Sequence, residues 1–277
     1  MFHIFKTVSK TISCAAILGS IVLSAAAKAD DGDSWKQVKA SGVLRCGVAA
    51  SPPYVMRDPK TGDYSGIFPD LCRSFAKDVL KVKPEFVDTN WDNIVAGLQS
   101  EKWDISLSLN DTPERRKAIS FSAPAVDYSV TFAYNKNNPK IAASATSVTD
   151  IDKPGVTVIV LSGTAADKAI STEFKKARIM RLPGFDETRL ALMSKRGDVL
   201  ADDNMSNLML ETAHKDWVKI MTPNPLLAKQ GIAMGVRKDM PVNDIGELNK
   251  FIQSERASGT VDKLIKQSVE ETLAQSH

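Results

Sequence analysis

Short apolar runs alternate with amphipathic stretches along most of this chain. Residues 43–48 (VLRCGV) form a first apolar run that stops at Ser51-Pro52-Pro53-Tyr54, a strand followed by a loop. A turn at Thr61-Gly62-Asp63 separates two short extended pieces. Residues 67–80 place Leu71, Phe75 and Val79 on one face, the spacing of a helix packed on a sheet. Residues 84–88 read as a strand, 91–100 as a helix with Ile94, Val95 and Leu98 inward, and 105–109 as a further strand. A polar stretch, 135–154, interrupts the pattern as a junction, and the alternation then restarts. Strands at 156–161, 178–182 and 199–201 alternate with helices at 165–175, 187–194 and 205–212. Beyond the Pro223-Asn224-Pro225 break comes a strand at 231–236, then helices at 242–257 and 261–272. Two βαβα series divided by a polar junction predict an α/β protein of two lobes with a cleft between them.

The segment 104–121, DISLSLNDTPERRKAISF, concentrates candidate chemistry. Its strand ends in the hydroxyl and amide of Ser108 and Asn110. Thr112 suits a helix cap and Pro113 a first helical position, where its missing N–H costs nothing. Arg115 then falls third in the predicted helix, where a cation opposes the helix dipole. An anion held between the guanidinium and the free backbone N–H groups would resolve that conflict. The expectation is a carboxylate-binding corner; a solvated surface arginine is the plain alternative.

Open α/β sheets bind ligands beyond the carboxyl ends of their strands, so two other strand ends matter. Leu161-Ser162-Gly163-Thr164 leads into a helix, with Thr164 and Asp167 at capping-box spacing. A cap explains Asp167 by itself, whereas Gly163 and Thr164 also offer N–H groups and a hydroxyl to an anion. Asp202-Asp203-Asn204 follows the short strand at 199–201, and adjacent acids are costly unless solvated or facing a cation. A fixed cation on one lobe and a fixed anion on the other suit a zwitterion such as a free amino acid.

The N-terminus carries Lys6 and Lys10, then an apolar run over 12–27 and Ala27-Lys28-Ala29 before Asp30, the pattern of a secretory leader spanning residues 1–29. The chain has 36 Lys+Arg against 33 Asp+Glu, and the excess of three matches the leader's Lys6, Lys10 and Lys28. The remainder is charge-balanced, so nothing argues for nucleic acid as a partner. Apolar residues make up 43% of the 277, ordinary for a globular chain, and no later run is long enough to span a bilayer. Cys46 and Cys72 remain after the leader; a disulfide and two buried thiols are both open. Only His214 and His277 remain as histidines, no Cys/His spacing resembles a metal-ligand set, and no glycine-rich nucleotide loop occurs. The reading requires neither metal nor cofactor.

The order of these motifs resembles the bacterial extracellular solute-binding proteins of the polar amino-acid type, the periplasmic subunits of ABC importers. The matching segments are GVLRCGVAASPPY (42–54), SGIFPDLCRSFAK (65–77), the run 86–122 that contains TPERRKAISF, VTVIVLSGTAADK (156–168), GDVLADD (197–203) and SGTVDKLIKQ (258–267). The resemblance implies a type II-like periplasmic-binding-protein fold, each lobe a mixed sheet flanked by helices. It implies that the chain crosses between lobes near 134–136 and again near 227–231. Lobe 1 would then comprise 30–134 plus 231–277, and lobe 2 residues 135–230.

By position, Arg115 matches the arginine that grips a ligand α-carboxylate. Ser108, Asn110 and Thr112 match polar contacts of the first lobe, Trp91 falls near an aromatic that flanks the ligand, and Thr164 matches a second-lobe hydroxyl. Asp203, five residues after Asp198, matches the acid that pairs with the ligand ammonium; Asp202 is the alternative if the strand is one residue shorter. The chain departs from the family's pattern at Ser51, where an acidic or aromatic residue is usual, at Phe68 and at Ala125. These changes bear on side-chain specificity. The implied function is capture of a small zwitterionic solute by lobe closure, without catalysis, and delivery by a periplasmic monomer to an inner-membrane ABC permease. Cyclohexadienyl dehydratases resemble the same family, so an exported enzyme is the second class, and an exported accessory or sensor protein the third.

Overall fold

The computed structural model describes residues 34–275. The expected leader, 1–29, and the terminal His277 lie outside the described residues. The chain begins with α1 (Ser34–Ser41) and β1 (Val43–Val48), and the extended pieces around the predicted turn are a two-stranded ribbon, β2 (Met56–Arg57) and β3 (Tyr64–Ser65). Helix α2 (Ile67–Ser74) continues into a π-helical stretch, Phe75–Leu80, so the expected helix is present but changes its winding halfway. Then come β4 (Lys83–Asp88), α3 (Ile94–Gln99), β5 (Ile105–Asn110), α4 (Arg115–Ala118), β6 (Ile119–Phe121) and β7 (Val126–Asn135). The second series is α5 (Val148–Ile151), β8 (Thr157–Leu161), α6 (Ala165–Glu173), β9 (Arg178–Leu182), α7 (Phe185–Met193), β10 (Val199–Asp203), α8 (Asn204–Ala213) and β11 (Val218–Met221). The long strand β12 (Leu227–Arg237) and helices α9 (Val242–Ala257) and α10 (Thr260–Gln275) close the chain.

All strands except the β2–β3 ribbon join one mixed sheet in the order β4-β1-β5-β12-β7-β10-β8-β9, with β6 beside β12 and β11 beside β7. The sheet is two parallel sets, β4-β1-β5 and β10-β8-β9, bridged by the antiparallel pair β12–β7. Strand β7 pairs with β12 up to Val130 and with β10 from Val130 to Tyr134. Strand β7 thus changes partner from β12 to β10 at Val130. Strands β5 and β8 are buried almost end to end, as expected where helices cover both faces of a sheet.

Two expectations need correction. The helix predicted from Pro113 onward is the single turn α4, and Arg115 is its first residue, because β12 claims the next residues as β6, pairing Gly235 with Phe121 and Arg237 with Ile119. The helix predicted over 91–100 starts at Ile94, and residues 91–93 form a turn. Cys46 and Cys72 are joined as a disulfide that ties β1 to α2.

Trp103 sets the height of the strands that carry the first site corner. Its indole N–H donates to Ser106 Oγ at 2.7 Å, and that hydroxyl donates to Ile94 O at 3.1 Å, linking β5 to the start of α3. The ring is held between Gly47 and Gly97: a Cβ on either would lie 2.4 Å and 2.0 Å from ring atoms. Only two residues without side chains allow α3 and β1 to close on the indole. Gly97→Ala is therefore expected to lose about 1–3 kcal/mol of stability from overpacking. Gly246→Ala in α9, where an added Cβ meets nothing within 4 Å, is expected to gain about 0.5–1 kcal/mol of helix propensity. Denaturant titration of the two variants measures both.

Candidate functional site

The first corner lies where β5 ends. Ser108 adopts φ +58°, a left-handed conformation uncommon for a residue with a side chain, and it sits where β5 and β12 slip register between Ala233 and Gly235. The bulge re-aims the last residues of β5 toward the other half of the sheet. Thr112 Oγ1 accepts from the Arg115 N–H at 3.1 Å, a bond within the turn that leads into α4, whose N-cap position is Glu114 rather than the predicted Thr112. The guanidinium donates to Asn110 O at 3.3 Å and, across to the loop after β8, to Gly163 O at 3.2 Å. These acceptors are neutral carbonyls. Burial lowers the Arg115 pKa to about 10, which leaves it charged at neutral pH.

Gly163 itself is at φ +74°, and a Cβ there would stand 2.5 Å from Asp92 Oδ1 and 2.9 Å from the backbone of residues 91 and 92. The β8 loop thus lies directly on the turn before α3. Ser162 Oγ donates to Asp92 Oδ1 at 3.3 Å, and Lys168 pairs with Glu114 at 2.8 Å. A cavity of about 480 Å³ beside this contact is lined by residues of both halves, among them Trp91, Thr112, Arg115, Gly163 and Thr164.

The second corner is the junction of β10 and α8. Strand β10 runs past the predicted end to Asp203, which pairs with Val130 of β7 and at the same time caps α8. Its Oδ1 accepts from the N–H groups of Met205 at 2.9 Å and Ser206 at 2.8 Å. The same oxygen accepts from the Tyr54 hydroxyl at 2.8 Å, a bond that reaches across from the loop after β1. Beside it, Ser206 Oγ donates to Pro52 O at 2.8 Å. Asp203 is 3% exposed, and burial and then the neighbouring Asp202 raise its pKa to about 6. Every recorded donor to Asp203 is uncharged. Asp202 differs: Arg189 donates to its Oδ2 at 2.5 Å, and its Oδ1 accepts the Asp203 N–H. Of the two acids, Asp203 is the one that faces the contact between halves.

The two corners share an environment. Tyr128, on the strand that bridges the halves, has its phenol pushed up by burial and by the charges of Asp203 and Asp202, while Arg115 acts in the opposite sense. One ring thus feels both the cation and the acid. Trp91 is 8% exposed and Asn110 6%, and neither the Trp91 indole N–H nor the Asn110 amide N–H₂ has a hydrogen-bond partner in the structure. Buried donors of this kind carry a desolvation cost unless something accepts from them.

Arg115, Ser108, Asn110, Thr112 and Trp91 therefore gather at one edge, with Thr164 facing them from the other half. The Thr164 hydroxyl donates to Leu161 O and accepts from the Asp167 N–H, so a cap occupies most of its capacity. Ser51 turns the loop after β1 through backbone bonds: its N–H donates to Val55 O, and its carbonyl accepts from Tyr54 and Val55. That loop delivers Tyr54 and the Pro52 carbonyl to the second corner. Tyr54 and Tyr128 are the residues sequence reasoning passed over. A tyrosine after Pro-Pro in an otherwise apolar segment is a faint signal for Tyr54, and Tyr128 lies in β7, a strand that periodicity does not mark.

Similarity to known proteins is extensive but distant. Cyclohexadienyl dehydratase of Pseudomonas aeruginosa is 25% identical over 227 residues, covering 80% of each chain. ABC transporter arginine-binding protein 1 of Escherichia coli (strain K12) is 24% identical over 227 residues, covering 81% of this chain and 89% of that protein. Among solved structures, an ancestral amino acid-binding protein described as a precursor of cyclohexadienyl dehydratase superposes with a TM-score of 0.76 at 29% identity, covering 85% of this chain and 99% of that one. The chain shares the two-lobed fold of that amino acid-binding structure, but its two parallel sets belong to one continuous mixed sheet, not to a separate sheet in each lobe as the resemblance implied. The model of the bacterial extracellular solute-binding proteins, family 3, matches residues 44–271, and this chain belongs to that family.

Proposed function

We propose that the protein is a periplasmic binding protein that captures a free amino acid between its lobes and hands it to an ABC importer. The observation that carries this reading is a pair of charges lacking opposite partners on the two sides of one contact. Arg115 donates to carbonyl oxygens, and buried Asp203 accepts only from neutral donors. A ligand α-carboxylate at Arg115 and α-ammonium at Asp203 would neutralise both. We place lobe 1 at 34–129 with 231–275 and lobe 2 at 130–230, hinged where β7 and β12 pair. Residues 1–29 act as the export leader, and the working form is a monomer. Binding and release involve no covalent step and no cofactor.

Each charge-assisted contact contributes about 1.5–3 kcal/mol net. Two of them with several neutral hydrogen bonds give binding on the order of micromolar, ~−8 kcal/mol. The bonds Tyr54–Asp203, Ser206–Pro52 and Arg115–Gly163 join the lobes, so ligand and closure reinforce one another. A permease would read the closed shape.

A second reading rests on Asp203 itself. A buried carboxyl with a pKa of about 6 exchanges its proton close to neutrality, and its minor protonated form could serve as a general acid beside a bound carboxylate. Incubation with prephenate or arogenate tests it: an aromatic product whose formation stops in Asp203→Asn would replace the binding reading with a dehydratase.

Three outcomes are expected. Arg115→Ala should weaken amino-acid binding by about a hundredfold in calorimetry, and wild-type affinity in that variant would refute the carboxylate corner. Asp203 has the opposite sign from most acids, because its folded pKa of about 6 lies above the ordinary 3.8. The folded form holds more protons than the unfolded one between those values, so the ligand-free protein loses stability as pH rises from about 4 to about 6. Asp203→Asn should remove that slope, stabilise the ligand-free protein at pH 7 by about 2–3 kcal/mol and abolish binding, read from thermal melts with and without ligand. Gly163→Ala should hold the lobes apart: small-angle scattering of the ligand-saturated variant should give a larger radius of gyration than wild type, with affinity reduced about tenfold or more.

A further inference from the structure

Resting on the proposed amino-acid clamp, we infer that the clamp has a polar floor. The Tyr128 hydroxyl accepts from the ligand's α-ammonium, and the Gln230 carboxamide donates to its α-carboxylate. The first ground is sheet register. Residues paired across antiparallel strands point to the same face, as do residues two apart on one strand. Asn110 pairs with Ile232 and Ile232 with Val126, Gln230 pairs with Tyr128, and Val130 pairs with Asp203. Asn110, Gln230, Tyr128 and Asp203 therefore lie on one face, in consecutive rows. Gln230 stands one strand and one row from Asn110, and Tyr128 one strand and one row from Asp203. The two side chains fill the step between the corners, on the two strands that join the halves of the sheet. A bulge in β12 precedes Gln230, with Ala228 at φ +51°, just as the bulge at Ser108 precedes Asn110. Bulges of this kind re-aim the side chains beside them.

The second ground is a count of donors and acceptors. An ammonium carries three N–H donors and no acceptor. Asp203 Oδ1 already accepts from Met205, Ser206 and Tyr54, which leaves Oδ2 for the ligand. Asp202 is held by Arg189 and by the Asp203 N–H. One carboxylate oxygen has about two acceptor sites, so at least one ammonium proton needs another acceptor where water is excluded. Tyr128 is 6% exposed, and its hydroxyl has no hydrogen-bond partner among the described residues. Burial, then Asp203 and Asp202, push its phenol up, so it stays neutral and keeps a lone pair beside the acid. At the other end of the floor, Gln230 Nε2 is buried without a partner. Buried partnerless atoms include an acceptor as well, Asp111 Oδ1, so their sign by itself selects no ligand. Position singles out Gln230, which shares a face with Asn110, whereas Asp111 is already paired with Arg116. A carboxylate at Arg115 keeps acceptor sites beyond those one guanidinium fills, and Gln230 donates into them.

The test uses the protein without its leader, unfolded and refolded to strip bound solute. Calorimetry across the common amino acids first identifies the tightest binder. That binder and its N-methyl form, which has one ammonium N–H fewer, are then titrated into wild type, Tyr128→Phe, Gln230→Met and Gln230→Glu. Wild type should bind the N-methyl form at least tenfold more weakly. Tyr128→Phe should lose about tenfold on the parent amino acid but less than threefold on the N-methyl form, a difference that a purely structural role would not produce. Gln230→Met should lose about tenfold. Gln230→Glu sets an acid against the α-carboxylate and should lose at least a hundredfold at pH 7. Each variant is checked for folding by its own melt. Equal loss on both ligands in Tyr128→Phe, or no loss in Tyr128→Phe or Gln230→Met, overturns the inference and leaves the clamp standing. Gln230→Glu binding as well as Gln230→Met does the same. So does equal affinity of wild type for the parent and its N-methyl form, a result that needs no variant to fold. If no amino acid binds, the clamp fails along with its floor.

Discussion

A carboxylate buried without a cation is the constraint on which much of this structure depends. Asp203 is held by two backbone N–H groups at the start of α8 and by a tyrosine hydroxyl from across the cleft. Those bonds favour the charged form, yet burial and Asp202 outweigh them and keep its pKa near 6. The ligand-free protein therefore carries a local instability at neutral pH that an ammonium would relieve. Helix α8, strand β10 and the loop after β1 all serve to keep that oxygen in place, and the Arg189–Asp202 pair beneath them fixes the backbone on which it rides.

The opposite corner shows how packing far from the chemistry sets the chemistry. Trp103, enclosed by Gly47 and Gly97, registers β5 against α3, and β5 ends in the bulge at Ser108 that turns Asn110 and Arg115 toward the second half of the sheet. Gly163 then permits an approach so close that no side chain would fit. Two glycine-dependent contacts, one inside a lobe and one between lobes, place a guanidinium where it meets the partner loop. The long pair β7–β12 connects the two corners and carries Tyr128, which lies in the field of both charges.

Much of the fold was legible because most strands and helices here show clean periodicity, and helix α9 lies where its pattern placed it. The misses have physical causes. Strand β7 mixes buried residues at nearly every position with a few polar ones, so neither period 2 nor period 3.6 stands out. The helix after Thr112 had every local start signal, but β12 needed residues 119–121 as a strand partner, and sheet pairing overrode propensity. Cys46 and Cys72 could not be paired from spacing alone; only the folded chain brings them together as a disulfide.

For the site, the sequence by itself determined which residue types stood at strand ends: an arginine after β5, a Gly-Thr after β8, adjacent acids after β10. Those choices follow from short-range rules of caps, turns and strand termini, which a linear reading can apply. Which acid faces the cleft was decided only by tertiary structure, because β10 extends two residues further than its apolar run and the pleat then turns Asp202 to Arg189 and Asp203 to Tyr54. The roles of Tyr54 and Tyr128 were likewise beyond a linear reading, since they lie in interactions with residues dozens of positions away. The segment 104–121 named a cation, and the strand end at 202–203 named two acids; only the folded chain separated the acid that an arginine neutralises from the one that meets neutral donors alone.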